Sequence, residues 1–74
     1  MIDIGSRLKH LRKANNVTQK QIAEHLEILP NSYQFFEYNK SRPSLENIIK
    51  LCRYFNVSAD YLLGLTDEPR PLDL

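Results

Sequence analysis

The sequence predicts an all-α fold, a compact bundle of five short helices, and three observations carry the prediction. Apolar residues recur three and four apart in each segment, as in Ile4, Leu8, Leu11 and again in Ile22, Ala23, Leu26. No stretch alternates apolar and polar residues as a half-buried strand would. Residues that start or stop helices frame every segment, and the connections between them are short, which suits a small bundle.

The first helix is expected in "IGSRLKHLRKA", with Ile4, Leu8 and Leu11 inward and bases on the opposite side. Asn15 and Asn16 follow, a residue type that tolerates the left-handed conformation at a helix end. In "VTQKQIAEHL", Thr18 can accept from the Gln21 backbone N–H while the Gln21 side chain reaches back, a capping box. Val17 before the cap can pack on Ile22 as a hydrophobic staple. The third helix opens near Pro30, whose missing N–H costs nothing in a first turn, and is expected to run to Tyr38 with Asn39 closing it. A fourth begins at Ser44, with Leu45, Ile48, Ile49, Cys52 and Phe55 expected on one inward face and Asn56 at its end. Ser58 caps a short fifth helix carrying Ala59, Leu62 and Leu63, stopped by Gly64.

At 74 residues the chain is long enough for one domain, placed at residues 1–65. The Pro-punctuated, acidic "LTDEPRPLDL" predicts a loose tail over 66–74. A domain this short buries only about 60% of its unfolded surface, so each internal contact counts. Cys52 is the single cysteine, which excludes an internal disulfide and suits a reducing compartment. There is no bilayer-length apolar run and no charged-then-apolar leader, so a cytoplasmic protein with no membrane partner is expected.

Enzymatic chemistry finds little to work with. His10 and His25 fall on different helices, and no Cys/His spacing resembles a zinc site. With Gly5 and Gly64 the only glycines, no phosphate-cradling loop exists. Cys52 lies on an apolar face, the position of a core thiol rather than a nucleophile. The expectation is no catalysis, no metal and no cofactor.

Net charge is +1, but its distribution is uneven. Residues 1–20 carry +4 and residues 40–53 carry +3, while 21–39 and the remainder each carry −3. Two basic segments thus flank "LPNSYQFFEYNK", where Tyr33, Phe35, Phe36 and Tyr38 crowd one helix. On a helical wheel that crowd divides. Tyr33 and Phe36 point inward with Glu37, and Asn31, Gln34, Phe35 and Tyr38 point outward.

Two short helices joined by a brief connection, with small Ala23 where the second would cross closely, have helix-turn-helix spacing. Here the sequence resembles a known family. "VTQKQIAEHLEI" followed by "NSYQFFEYNKSRPSLENIIKLCRYFNVSADYLLG" is similar to the Cro/phage-repressor, or XRE-type, regulators of bacteria and phages. The likeness rests on Thr18-Gln19, Ile22-Ala23, Leu26, Glu37 to Lys40, Arg42-Pro43-Ser44 and "FNVSADYLLG", and it spans about residues 4–64. Three positions depart from the pattern: Glu27 stands where the family has its turn glycine, Leu29-Pro30 where it has Ser or Thr, and Asn39 where it has glycine. Glu27 therefore predicts an adjusted turn.

The resemblance implies a lambda-repressor-like DNA-binding domain that represses transcription on a double-stranded DNA operator; one short helix reads too few base pairs, so a homodimer is expected. It puts Pro30, Asn31, Gln34 and Phe35 at positions that meet base edges. It puts Gln19, Tyr38, Lys40 and Arg42 at positions that hold the sugar–phosphate backbone. It also pairs Arg12 with Glu37, which answers the question of how a carboxylate sits on the inward face. Asn and Gln bond adenine in bidentate fashion and an apolar ring meets a thymine methyl, so an A·T-leaning site is expected. The rival class is a protein-interaction module, an antitoxin-like or anti-repressor partner, for which the outward Phe35 and Tyr38 would be contact residues.

Overall fold

The computed structural model describes residues 3–71, and five helices make up its regular structure: α1 (Ile4–Ala14), α2 (Gln19–Leu26), α3 (Pro30–Glu37), α4 (Leu45–Phe55) and α5 (Ala59–Leu62). No strand occurs among the described residues. Each helix sends a large, fully buried side chain to a shared centre: Leu8, Ile22, Tyr33, Leu51 and Leu62.

Local chemistry sets the helix starts. Thr18 Oγ1 accepts from the Gln21 N–H at 3.0 Å and Gln21 Oε1 accepts from the Thr18 N–H at 2.8 Å, completing the capping box. Ser44 and Ser58 accept from the N–H groups of Asn47 and Tyr61. Asp3 caps α1 by accepting from the Ser6 N–H at 3.0 Å. Leu29 precedes α3 without any side-chain cap, and Pro30 occupies the first turn.

All five helices end the same way. A residue with positive φ (Asn16, Glu27, Asn39, Asn56, Gly64) turns the chain. The next residue's N–H then reaches five positions back: Val17 to Arg12, Ile28 to Ala23, Lys40 to Phe35, Val57 to Cys52 and Leu65 to Asp60. This is the Schellman arrangement, which satisfies carbonyls that the helix itself leaves unpaired. Glu27 therefore takes the left-handed conformation a glycine would, at φ 60°, instead of adjusting the turn. The connection is short and held by flanking helices, so the backbone overrides the residue's preference.

Two expectations need correction. The inward face of α4 is centred on Ile48 and Phe55, with Leu51 fully buried; Leu45 is 76% exposed and Ile49 45% exposed. At 100° per residue Ile49 sits roughly 110° from the centre of that stripe, so apolar character alone did not place it inside. In α5 the buried pair is Tyr61 and Leu62, while Ala59 is exposed. Residues 66–71 of the expected tail touch the rest of the domain at two places. The Ser58 N–H donates to the Pro69 carbonyl at 2.9 Å, and Arg7 pairs with Asp67 at 2.8 Å while lying 4.3 Å from the Tyr61 ring centre. Residues 72–74 of that tail lie outside the described residues. A smaller difference is that α3 closes at Glu37, with Tyr38 as its cap.

Candidate nucleic-acid interface

The shape of the site follows from how α3 is held. Its inner side presents Tyr33, Phe36 and Glu37 to α1 and α2. Glu37 is almost completely buried, yet every approach to it is a donor. Arg12 Nε donates to Oε2 at 2.7 Å and the Arg12 terminal nitrogen to Oε1 at 3.2 Å, while Gln19 Nε2 reaches Oε1 at 3.1 Å. One carboxylate thus joins α1, α2 and α3.

Burial pushes the Glu37 carboxyl up, but bonds from Arg12, with help from Tyr33 and Gln19, outweigh it and hold the group below the usual carboxylate range. The Tyr33 hydroxyl is fully enclosed beside this carboxylate without a well-formed hydrogen bond. Burial first, and then the neighbouring Glu37 charge, push its pKa up. Arg12 is held in its charged form chiefly by the bond to Glu37.

A second bracket fixes the exit of α3. Asn39 donates through Nδ2 to Asp3 Oδ1 at 2.8 Å and accepts from the Gly5 N–H at 3.0 Å. Gly5 packs so closely on the end of α3 that an added Cβ would collide with the Glu37 carbonyl oxygen. That position admits no side chain, which periodicity could not reveal. Asn39 adopts the left-handed conformation expected of it and adds two tertiary bonds that a glycine could not make.

The outer side of α3 is largely exposed among the described residues. Pro30, Asn31, Phe35 and Tyr38 are exposed and Gln34 is half-buried, all on one face of the helix. Leu29, 72% exposed, lies just before α3. Lys40 and Arg42 are exposed just beyond the helix, with Lys40 Nζ 6.0 Å from the Phe35 ring centre. Gln19 stands apart from this group. It is half-buried, and one bond from its Nε2 to Glu37 Oε1 supports α3. Gln34 Nε2 donates to the Tyr38 hydroxyl at 3.2 Å, one turn further along. Among the described residues no three His, Cys, Asp or Glu side chains gather to hold a metal.

A short helix laid across its partner, braced by a buried ion pair and showing polar and aromatic groups outward, defines a helix-turn-helix module. The chain belongs to the helix-turn-helix domain family, whose profile matches residues 5–68. It is 45% identical over 65 residues to the uncharacterized HTH-type transcriptional regulator YobD of Bacillus subtilis, covering 88% of this chain and 58% of that protein. It is 38% identical to the cryptic phage CTXphi transcriptional repressor RstR of Vibrio cholerae, covering 96% of this chain and 65% of the relative. The chain thus spans a little over half to two thirds of the length of these relatives. Its fold also superposes on the P22 c2 repressor protein solved with a synthetic operator. The TM-score is 0.76 at 25% identity, with 81% of this chain and 91% of the other covered.

Proposed function

We propose that the chain is the DNA-binding part of a transcriptional regulator, acting as a repressor by placing α3 in the major groove of an operator. The observation that carries this reading is the division of α3. One side is locked to α1 and α2 through Glu37, and the other offers Asn31, Gln34 and Phe35 on a rigid support. Asn and Gln supply the donor–acceptor pair that matches adenine N7 and N6, and the Phe35 ring suits a thymine methyl. Lys40 and Arg42 flank this face, where cations replace counterions along the phosphates. Kinship to RstR, named a transcriptional repressor, and to a repressor solved on its operator supports the same reading.

One α3 reads only a few base pairs. A homodimer would present two, on half-sites about 34–36 Å apart. In this reading the protein works in the cytoplasm, without catalysis or cofactor. Among the described residues no helix is long and apolar enough to cross a membrane.

The test is the dependence of affinity on salt. Binding to duplex DNA should weaken as salt rises. Lys40→Ala and Arg42→Ala should each lower affinity for all sequences alike, flattening the log-affinity against log-salt slope by about 0.9 per lost phosphate contact. A slope near zero for the unmodified protein would discard the reading.

A further inference from the structure

We infer that Tyr38 is a positioning residue for Gln34, and that its hydroxyl fixes the Gln34 amide in the orientation that reads an adenine in the half-site. The inference rests on the reading of α3 as the groove-facing helix and adds a base and a division of labour to it. The two residues are four apart on the outer face, and Gln34 Nε2 donates to the Tyr38 oxygen at 3.2 Å.

The chemistry of a primary amide makes this contact compatible with reading. Its nitrogen carries two protons, one on the same side as the carbonyl oxygen and one opposite. Adenine uses the first side: its N6 amino group donates to the amide oxygen and its N7 accepts the adjacent proton. The opposite proton is left over, and that is the one Tyr38 can take. Once the Tyr38 proton is given to a phosphate oxygen, its oxygen can only accept, and the contact then decides which end of the amide is nitrogen. Guanine shows two acceptors, N7 and O6, and would set O6 against the amide oxygen, so the fixed orientation disfavours it.

Tyr38 keeps a function of its own toward DNA. Its oxygen accepts from Gln34, so its proton stays available for a phosphate oxygen. A continuous path then runs from the phosphate through Tyr38 and Gln34 to the base, tying register to readout. Fixing a long side chain before binding also spares its ordering at the interface, a gain of about 2- to 12-fold in affinity.

The experiment uses the best duplex selected from a random pool, and the same duplex with each half-site adenine in turn replaced by 7-deazaadenine. That base keeps its Watson–Crick edge and loses only the N7 acceptor. For the unmodified protein, one such position should weaken binding. Tyr38→Phe should lower affinity for the unsubstituted duplex by about 2- to 12-fold, shrink the penalty at that one position and leave the salt slope unchanged. Gln34→Ala should erase the penalty, and adding Tyr38→Phe to it should not change adenine preference further. Both side chains face outward, so melting curves should match the parent.

If Tyr38→Phe weakens all duplexes alike and leaves the 7-deazaadenine penalty whole, Tyr38 touches phosphate only and the inference fails. It fails equally if no adenine position shows a penalty while specific binding persists. Loss of salt-dependent duplex binding by the unmodified protein would overturn the DNA reading instead, a result distinct from either.

Discussion

Glu37→Ala is the substitution that most tests how this small domain stands up. The change removes the acceptor for two Arg12 bonds and one Gln19 bond at 2.7–3.2 Å. The Arg12 side chain is 16% exposed and the Glu37 side chain 2%, so the arginine would be left charged, largely enclosed and unpaired. Breaking a buried pair in this way costs about 3–5 kcal/mol. Domains of this size lose about 4–8 °C of melting temperature per kcal/mol, so a fall of about 12 °C or more is expected.

Removing both charges with well-packed apolar residues, as in Arg12→Met with Glu37→Leu, should recover most of the loss, because neither charge then remains uncompensated. The pH dependence has a definite sign. The Glu37 carboxyl titrates below its unfolded value of about 4.3. Its contribution is therefore fully present above that pH and is lost as pH falls through the lower, folded value. Thermal melts by circular dichroism from pH 7 to 3 would show both effects, and Glu37→Gln should flatten the acid limb. An unchanged melting temperature for Glu37→Ala, or an acid limb identical in Glu37→Gln, would refute the reasoning.

Four further substitutions probe the two sides of α3. Glu27→Gly should raise stability by about 1 kcal/mol in denaturant titrations, because Glu27 sits at φ 60° where a side chain is strained and glycine is not; a loss would mean the Glu27 side chain contributes something the geometry does not show. Gly5→Ala should destabilise by about 1–3 kcal/mol in the same titrations, since its methyl meets the Glu37 carbonyl and neither backbone can yield cheaply. A neutral result would mean α1 and α3 are less closely apposed. Phe36→Ala should cost about 3–5 kcal/mol of stability. Phe35→Ala, on the exposed side, should leave the melt unchanged and lose discrimination between thymine and uracil in binding assays.

Much of this fold was legible because much of its chemistry is local. Thr18 with Gln21, Ser44 and Ser58 each act within three residues, so their caps can be read from spacing. The asparagines at 16, 39 and 56 likewise announce left-handed turns. Contacts between partners distant in sequence are not legible in this way. Asp67 pairs with Arg7, 60 positions away, and the Pro69 carbonyl accepts from the Ser58 N–H, contacts that composition does not announce. The exposure of Leu45 and Ile49 depends on what surrounds α4, which hydrophobicity does not encode.

The site divides in the same way. The inward and outward faces of α3 follow from helical geometry. The Arg12–Glu37 contact came from family resemblance together with the cost of a lone buried carboxylate. The bond from Gln19 to Glu37 spans 18 residues and could not be read from spacing. The Gln34–Tyr38 contact was accessible in principle, because four-residue spacing makes helix neighbours, but both had been assigned to DNA separately.

Selection of duplexes from a randomised pool, followed by footprinting of the winners, tests the central claim most directly. The account predicts an enriched, two-fold symmetric site with A·T-leaning half-sites centred one helical turn, about 10–10.5 base pairs, or a multiple of it apart. Asn31→Ala or Gln34→Ala should each relax preference at one or two base pairs, costing about 1–3 kcal/mol on the best site. A pool that emerges from repeated selection as random as it entered, with protection nowhere along the duplex, would contradict the account and return the outer face of α3 to a protein partner.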